Sequence, residues 1–122
     1  MSKVLIIEDD KFLRELINKK LQLENFETIL AVDGEIGLEL IEKECPDIVL
    51  LDLILPGING FEVLAKIKES EKFKEIPVLI LSNLGQKDDI EKGMELGAVD
   101  YLVKAHFTPS EIIEKINQTL AK

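Results

Sequence analysis

Tryptophan is missing from this chain, and cysteine, histidine and tyrosine each occur only once. The lone thiol, Cys45, excludes an intrachain disulfide; it stands before Pro46 as a structural turn residue and fits a reducing, cytoplasmic setting. The lone His106 excludes a histidine-rich zinc site. Long apolar runs are also absent. The first of them, Val4 to Ile7, follows Met1-Ser2-Lys3 and is far shorter than the about 20 residues of a membrane span or the core of a signal peptide. Positive charge is scarce: 15 basic against 24 acidic residues leave a formal charge of −9. That balance argues against direct nucleic-acid binding and against docking on an anionic membrane, and it is compatible with a cation site. No linker, low-complexity tract or repeat interrupts the chain, so residues 1–122 are expected to form a single domain.

What is present has a regular order. Short apolar runs occur at Val4–Ile7, Ile48–Leu51, Val78–Leu81 and Tyr101–Val103, with a fifth, Phe26–Leu30, broken by Glu27 and Thr28. Between them the apolar residues recur at helical spacing: Leu13, Leu16, Ile17 and Leu21; Ile36, Leu40 and Ile41; Phe61, Leu64 and Ile67; Ile90 and Met94; Ile112, Ile113, Ile116 and Leu120. Thr108-Pro109-Ser110-Glu111 reads as a capping box with proline at the first helical position, and Asn59 to Glu62 has the same cap-to-acid spacing. Asp33-Gly34 marks a turn, and Gly97 is placed to end a helix.

Strand and helix thus alternate, which predicts an α/β fold: a doubly wound, five-stranded parallel sheet with helices on both faces, a (βα)5 flavodoxin-like sandwich. Unbroken apolar runs suit strands buried on both sides, so the first, third and fourth strands are expected inside and the second and fifth at the edges. The order is then 2-1-3-4-5. Ligands bind such sheets beyond the carboxyl ends of the strands, at the switch point between the first and third.

The chemistry-bearing residues fall at those ends. The first strand runs into Glu8-Asp9-Asp10, the third into Asp52, the fourth into Ser82, and the fifth is followed by Lys104. Asp9, Asp10 and Asp52 are expected to converge; carboxylates so close resist ionising together unless a cation joins them, and hard oxygen donors with room for water suit Mg²⁺. With Lys104 and Ser82 nearby, the set can support phosphoryl transfer, with Asp52 as nucleophile. Each residue also has a plainer role: Asp9 and Asp10 as helix caps, Asp52 as a strand-end turn residue, Ser82 as a loop hydroxyl, Lys104 as a surface charge. Those roles give no reason for four groups meeting at one crevice.

Over its whole length the chain resembles the receiver domain of two-component response regulators, of the chemotaxis-regulator type that also exemplifies this strand order. The likeness lies in Val4-Leu-Ile-Ile-Glu-Asp-Asp10, Ile48-Val-Leu-Leu-Asp52-Leu-Ile-Leu-Pro56-Gly-Ile-Asn-Gly60, Pro77-Val-Leu-Ile-Leu-Ser82 and Gly97-Ala-Val-Asp-Tyr-Leu-Val-Lys104. The resemblance implies that Asp52 accepts a phosphoryl group from a sensor histidine kinase or a small phosphodonor. It implies that Asp9, Asp10, Asp52 and the backbone carbonyl of Ile54 hold Mg²⁺, for which Mn²⁺ can substitute. Ser82 and Tyr101 would form the switch and Lys104 the phosphate-contacting cation. Tyr101 would turn inward from an exposed position on phosphorylation, altering the face made by the fourth helix, fifth strand and fifth helix toward an output domain or target protein. Beyond its own phosphorylation and dephosphorylation, such a domain is not an enzyme.

One position departs from the family. Ala105 follows Lys104 where proline, often after a cis bond, is usual; without proline the trans bond is expected, because cis costs about 2.5–4 kcal/mol. Other functions fit less well. A phosphatase of the haloacid-dehalogenase type needs a second aspartate two residues after the nucleophile, where this chain has Ile54. A flavodoxin-like electron carrier needs a phosphate loop where this chain has Glu8-Asp9-Asp10-Lys11-Phe12. A phosphorylation-independent binding module would not require the whole set of site residues.

Overall fold

A computed structural model describes residues 2–121. The elements, in chain order, are β1 (Lys3–Ile7), α1 (Lys11–Leu23), β2 (Glu27–Ala31), α2 (Gly34–Glu44), β3 (Ile48–Leu51), α3 (Gly60–Glu69), β4 (Val78–Ser82), α4 (Lys87–Glu95), β5 (Asp100–Val103), a 3-10 turn (Lys104–His106) and α5 (Pro109–Leu120). All strand pairs are parallel and the order is β2-β1-β3-β4-β5. β1, β3 and β4 are buried almost throughout, while the edge strand β2 exposes Glu27 and Leu30. The second strand begins one residue later than its apolar run, at Glu27, because the N–H of Phe26 is still bonded to the carbonyl of Leu21 at the end of α1.

Side chains alternate across the sheet and so divide between two cores. Val4, Ile6, Ile48, Leu50, Leu79, Leu81 and Leu102 pack under α1 and α5. Leu5, Ile7, Val49, Leu51, Val78, Ile80 and Tyr101 pack on the other face, against α2 and α3 and partly buried Ile90 of α4.

The helix boundaries follow local chemistry. Thr108 and Glu111 form the capping box that starts α5, and the Asn59 side chain accepts from the N–H of Glu62. Asp33 does more than turn the chain: its carboxylate accepts from Ile36 N–H at 2.8 Å and caps α2. Gly97 ends α4 with φ +108°, a conformation open to glycine and costly for other residues. Cys45 is exposed and closes α2 in the left-handed region at φ +48°. Among the described residues there is no cis peptide bond, so Lys104–Ala105 is trans.

Candidate functional site

Register determines which strand-end residues meet. Ile7 pairs with Leu51, so the next residues out, Glu8 and Asp52, stand side by side. By alternation both continue the face of Ile6 and Leu50, toward α1 and α5. Lys104 lies two residues beyond Leu102, on that same face, and its stem is long enough to cross the end of β4. Its ammonium reaches Glu8 Oε1 at 2.9 Å and Asp52 Oδ2 at 3.0 Å. The other Asp52 oxygen, Oδ1, accepts from the N–H of Ile54 at 3.3 Å. Glu8 is 3% exposed and Asp52 4%.

Carboxylate oxygens of Glu8, Asp9 and Asp52 lie within 4.8 Å of one another. Three hard donors from two adjacent strand ends fit a divalent cation of the Mg²⁺ type. Asp10 is not part of this group. Its exposed carboxylate accepts from Leu13 N–H at 3.2 Å as the N-cap of α1. Of the expected set, Asp9, Asp10, Asp52 and the Ile54 carbonyl, the structure brings Asp9 and Asp52 together with Glu8, which stands where Asp10 was expected. The helix begins at Lys11, and the residue before it is taken by the cap. Glu8 was the residue that sequence reasoning passed over. Its signal was parity: it follows Val4 and Ile6 at two-residue spacing.

Further bonds hold the bend after β1. Asp10 N–H donates to Glu8 Oε2 at 3.1 Å, and the Arg14 guanidinium donates to the Glu8 carbonyl at 2.8 Å. Gly60 lets α3 approach closely, since a Cβ there would stand 2.3 Å from the carbonyl oxygen of Asp52.

Burial, and secondarily the Asp52 charge, push the Glu8 carboxyl up from 4.5 to about 7, against the opposing pull of Lys104. For Lys104, burial alone would lower the ammonium, but the hydrogen bond to Glu8 and the charge of Asp52 outweigh it, and the shift is upward. The two directions agree physically. A buried cation beside two carboxylates keeps its proton, and two carboxylates beside one cation do not both ionise freely.

Ser82 and Tyr101 lie on the opposite face, with Ile80. Ser82 is fully buried, and its hydroxyl accepts from Leu84 N–H at 3.2 Å. The Tyr101 hydroxyl donates to the Leu84 carbonyl. The ring is 8% exposed and already turned inward, unlike the exposed position expected from sequence. Burial raises the Tyr101 hydroxyl, with Asp89 and Asp52 adding to the effect. Leu84, which joins Ser82 to Tyr101, carried no signal in the sequence.

Comparison with known proteins agrees with this geometry. The family model described as "Response regulator receiver domain" matches residues 4–117. The chain is 36% identical over 122 residues to the DNA-binding dual master transcriptional regulator RpaA of Synechocystis, covering 100% of this chain and 50% of that protein. It spans about half the length of the curated relatives it matches. Among solved structures, a putative response regulator from Chloroflexus aurantiacus superimposes with a TM-score of 0.91 at 32% identity, covering 99% of this chain and 98% of the other. The BeF3-activated N-terminal receiver domain of Klebsiella pneumoniae RstA superimposes at 0.89 with 27% identity, covering 98% and 99%. With strand order, acidic crevice and family match in agreement, the chain belongs to the response regulator receiver domain family of two-component signalling.

Proposed function

We propose that Asp52 is the phosphoacceptor of a signalling switch, loaded by a sensor histidine kinase or by a small donor such as acetyl phosphate. The observation that carries this reading is the Asp52 carboxylate itself, buried and bonded at one oxygen to Lys104 and at the other to Ile54 N–H. An Asp52 oxygen attacks phosphorus in line. The bond from phosphorus to the donor atom breaks, its electron pair leaves with the donor, and an acyl phosphate forms on Asp52. Later attack by water returns the carboxylate and releases phosphate.

Glu8, Asp9 and Asp52, with the Ile54 carbonyl, would hold Mg²⁺ or Mn²⁺, which when bound supplies positive charge to the phosphoryl oxygens. Lys104 supplies a second positive group from the β5 side. Ser82 donates its hydroxyl to the new phosphoryl group and loosens its tie to Leu84, to which Tyr101 is also bonded. The face made by α4, β5 and α5 changes population in response, and it is the surface read by an output domain or a separate target protein. In this reading the only reactions of residues 1–122 are gain and loss of their own phosphoryl group.

Intact-mass analysis after incubation with acetyl phosphate and Mg²⁺ tests this. One labile phosphoryl group is expected on the wild type and none on Asp52→Asn, because an amide is a poor nucleophile. Equal labelling of the two proteins would remove Asp52 from the role.

A further inference from the structure

Lys104 must place its ammonium between Glu8 and Asp52, yet the backbone that carries it is weakly built. β5 ends at Val103, and Lys104 opens a three-residue 3-10 turn. Hydrogen-bond geometry in such turns is poorer than in an α-helix. This one ends in a long hydrogen bond, from Phe107 N–H to the Lys104 carbonyl at 3.4 Å. The side chains of Ala105 and His106 are exposed and take no part in the core. Ala105 and His106 follow Lys104, so the turn has no proline ring to stiffen it.

Phe107 is different. It is partly buried and packs against the core under α1 and α5, which also holds Leu81 and Leu102. The residue whose ring is fixed in the core is therefore the residue whose N–H fixes the Lys104 carbonyl. We propose that Phe107 is a positioning residue for Lys104, holding the ammonium at the Glu8–Asp52 crevice through the 3-10 turn. The capping box at Thr108 starts the next helix but makes no bond to residues 104–107. It is the natural control. The inference rests on the phosphoacceptor role of Asp52.

The test is a double-mutant cycle on the rate of Asp52 labelling by acetyl phosphate and Mg²⁺, using Phe107→Ala, Lys104→Ala and the pair. Displacing a charge-stabilising group by an ångström costs on the order of tenfold to a hundredfold in rate. Phe107→Ala is expected to slow labelling to that extent in the wild-type background. In the Lys104→Ala background it should change the rate by less than about twofold, because the group it positions is gone. Phe107→Leu should restore most of the rate, and Thr108→Ala should lower the melting temperature while leaving the rate near wild type. Where Phe107→Ala does not fold, Phe107→Val carries the same cycle.

Equal losses from Phe107→Ala in both backgrounds overturn the positioning role while leaving the phosphoacceptor intact. So does a Thr108→Ala variant as slow as Phe107→Ala. A wild-type protein that takes no phosphoryl group overturns both.

Discussion

Glu8 can be made to report its own burial. We predict that, in the presence of chelator, the protein loses stability as pH rises from the ordinary carboxylate range toward neutrality, and that Glu8→Gln abolishes this component of the loss. Unfolded, the Glu8 carboxyl releases its proton near 4.5; folded, it does so only near 7, chiefly because it is buried. Below the lower value both states hold the proton and Glu8 imposes no penalty. Between the two values the unfolded chain ionises and the folded chain does not, so stability falls; above the upper value the penalty is complete. At about 1.4 kcal/mol per pH unit, the interval corresponds to about 3 kcal/mol. Solvent screening reduces this little, since the side chain is 3% exposed. Glutamine keeps the size and can still accept from Lys104, without the charge. The stability of Glu8→Gln relative to wild type should therefore climb by up to about 3 kcal/mol between about pH 4.5 and pH 8. Urea unfolding followed by far-UV circular dichroism measures this; with no tryptophan, indole fluorescence cannot. A mutant-minus-wild-type difference that stays flat across the range would refute the claim that burial holds Glu8 protonated. Mg²⁺ bound at the proposed site should flatten the wild-type profile, because a cation favours the ionised carboxylate.

Further expectations concern neighbouring residues. Mg²⁺ should raise the melting temperature of the wild type by mass action; Asp9→Asn should weaken that rise, whereas Asp10→Asn, which keeps a good helix cap, should leave it unchanged. An Asp10→Asn protein that loses the Mg²⁺ response would restore the original acid pair. Ser82→Ala should remain phosphorylatable but lose most of the beryllofluoride-dependent shift of the α4–β5 resonances, since a hydrogen bond to a charged acceptor is worth about 1.5–3 kcal/mol, roughly a tenfold to hundredfold change in population. A full wild-type shift at saturating beryllofluoride would remove Ser82 from the relay. Gly60→Ala should lower stability by about 1–3 kcal/mol, because the added methyl meets the main chain of Asp52 and Leu53, which cannot rotate away. An unchanged melting temperature would contradict that packing.

The strand order was legible because burial writes itself into composition: Ile48–Leu51 is apolar at every position, while Glu27 and Thr28 mark an edge. Asp52 and Lys104 were legible for a related reason, since each is the first charge beyond an apolar strand. The stretch Glu8-Asp9-Asp10 was harder. Three acids in a row compete for a cap and a cluster, and composition cannot rank them. The start of α1 at Lys11 decides it, assigning Asp10 to Leu13 N–H and leaving Glu8 facing Asp52. The inward Tyr101 was illegible for a third reason: its hydroxyl meets a backbone carbonyl, that of Leu84, and every residue type carries one.

The two-sided sheet has a consequence for how such a protein can change over generations. Glu8, Asp52 and Lys104 belong to one side of a layer a single chain thick, and Ser82 and Tyr101 to the other. In the proposed switch the two groups meet through the Ser82 hydroxyl, which would reach the phosphoryl group on Asp52. If the proposed function holds, substitutions on the α4 side that spare Ser82 and Tyr101 would reshape the surface a partner reads without touching Glu8, Asp52 or Lys104. A duplicated copy of this chain would then take on a different audience while keeping the same chemistry, with Ser82 and Leu84 as the narrow bridge that both sides need.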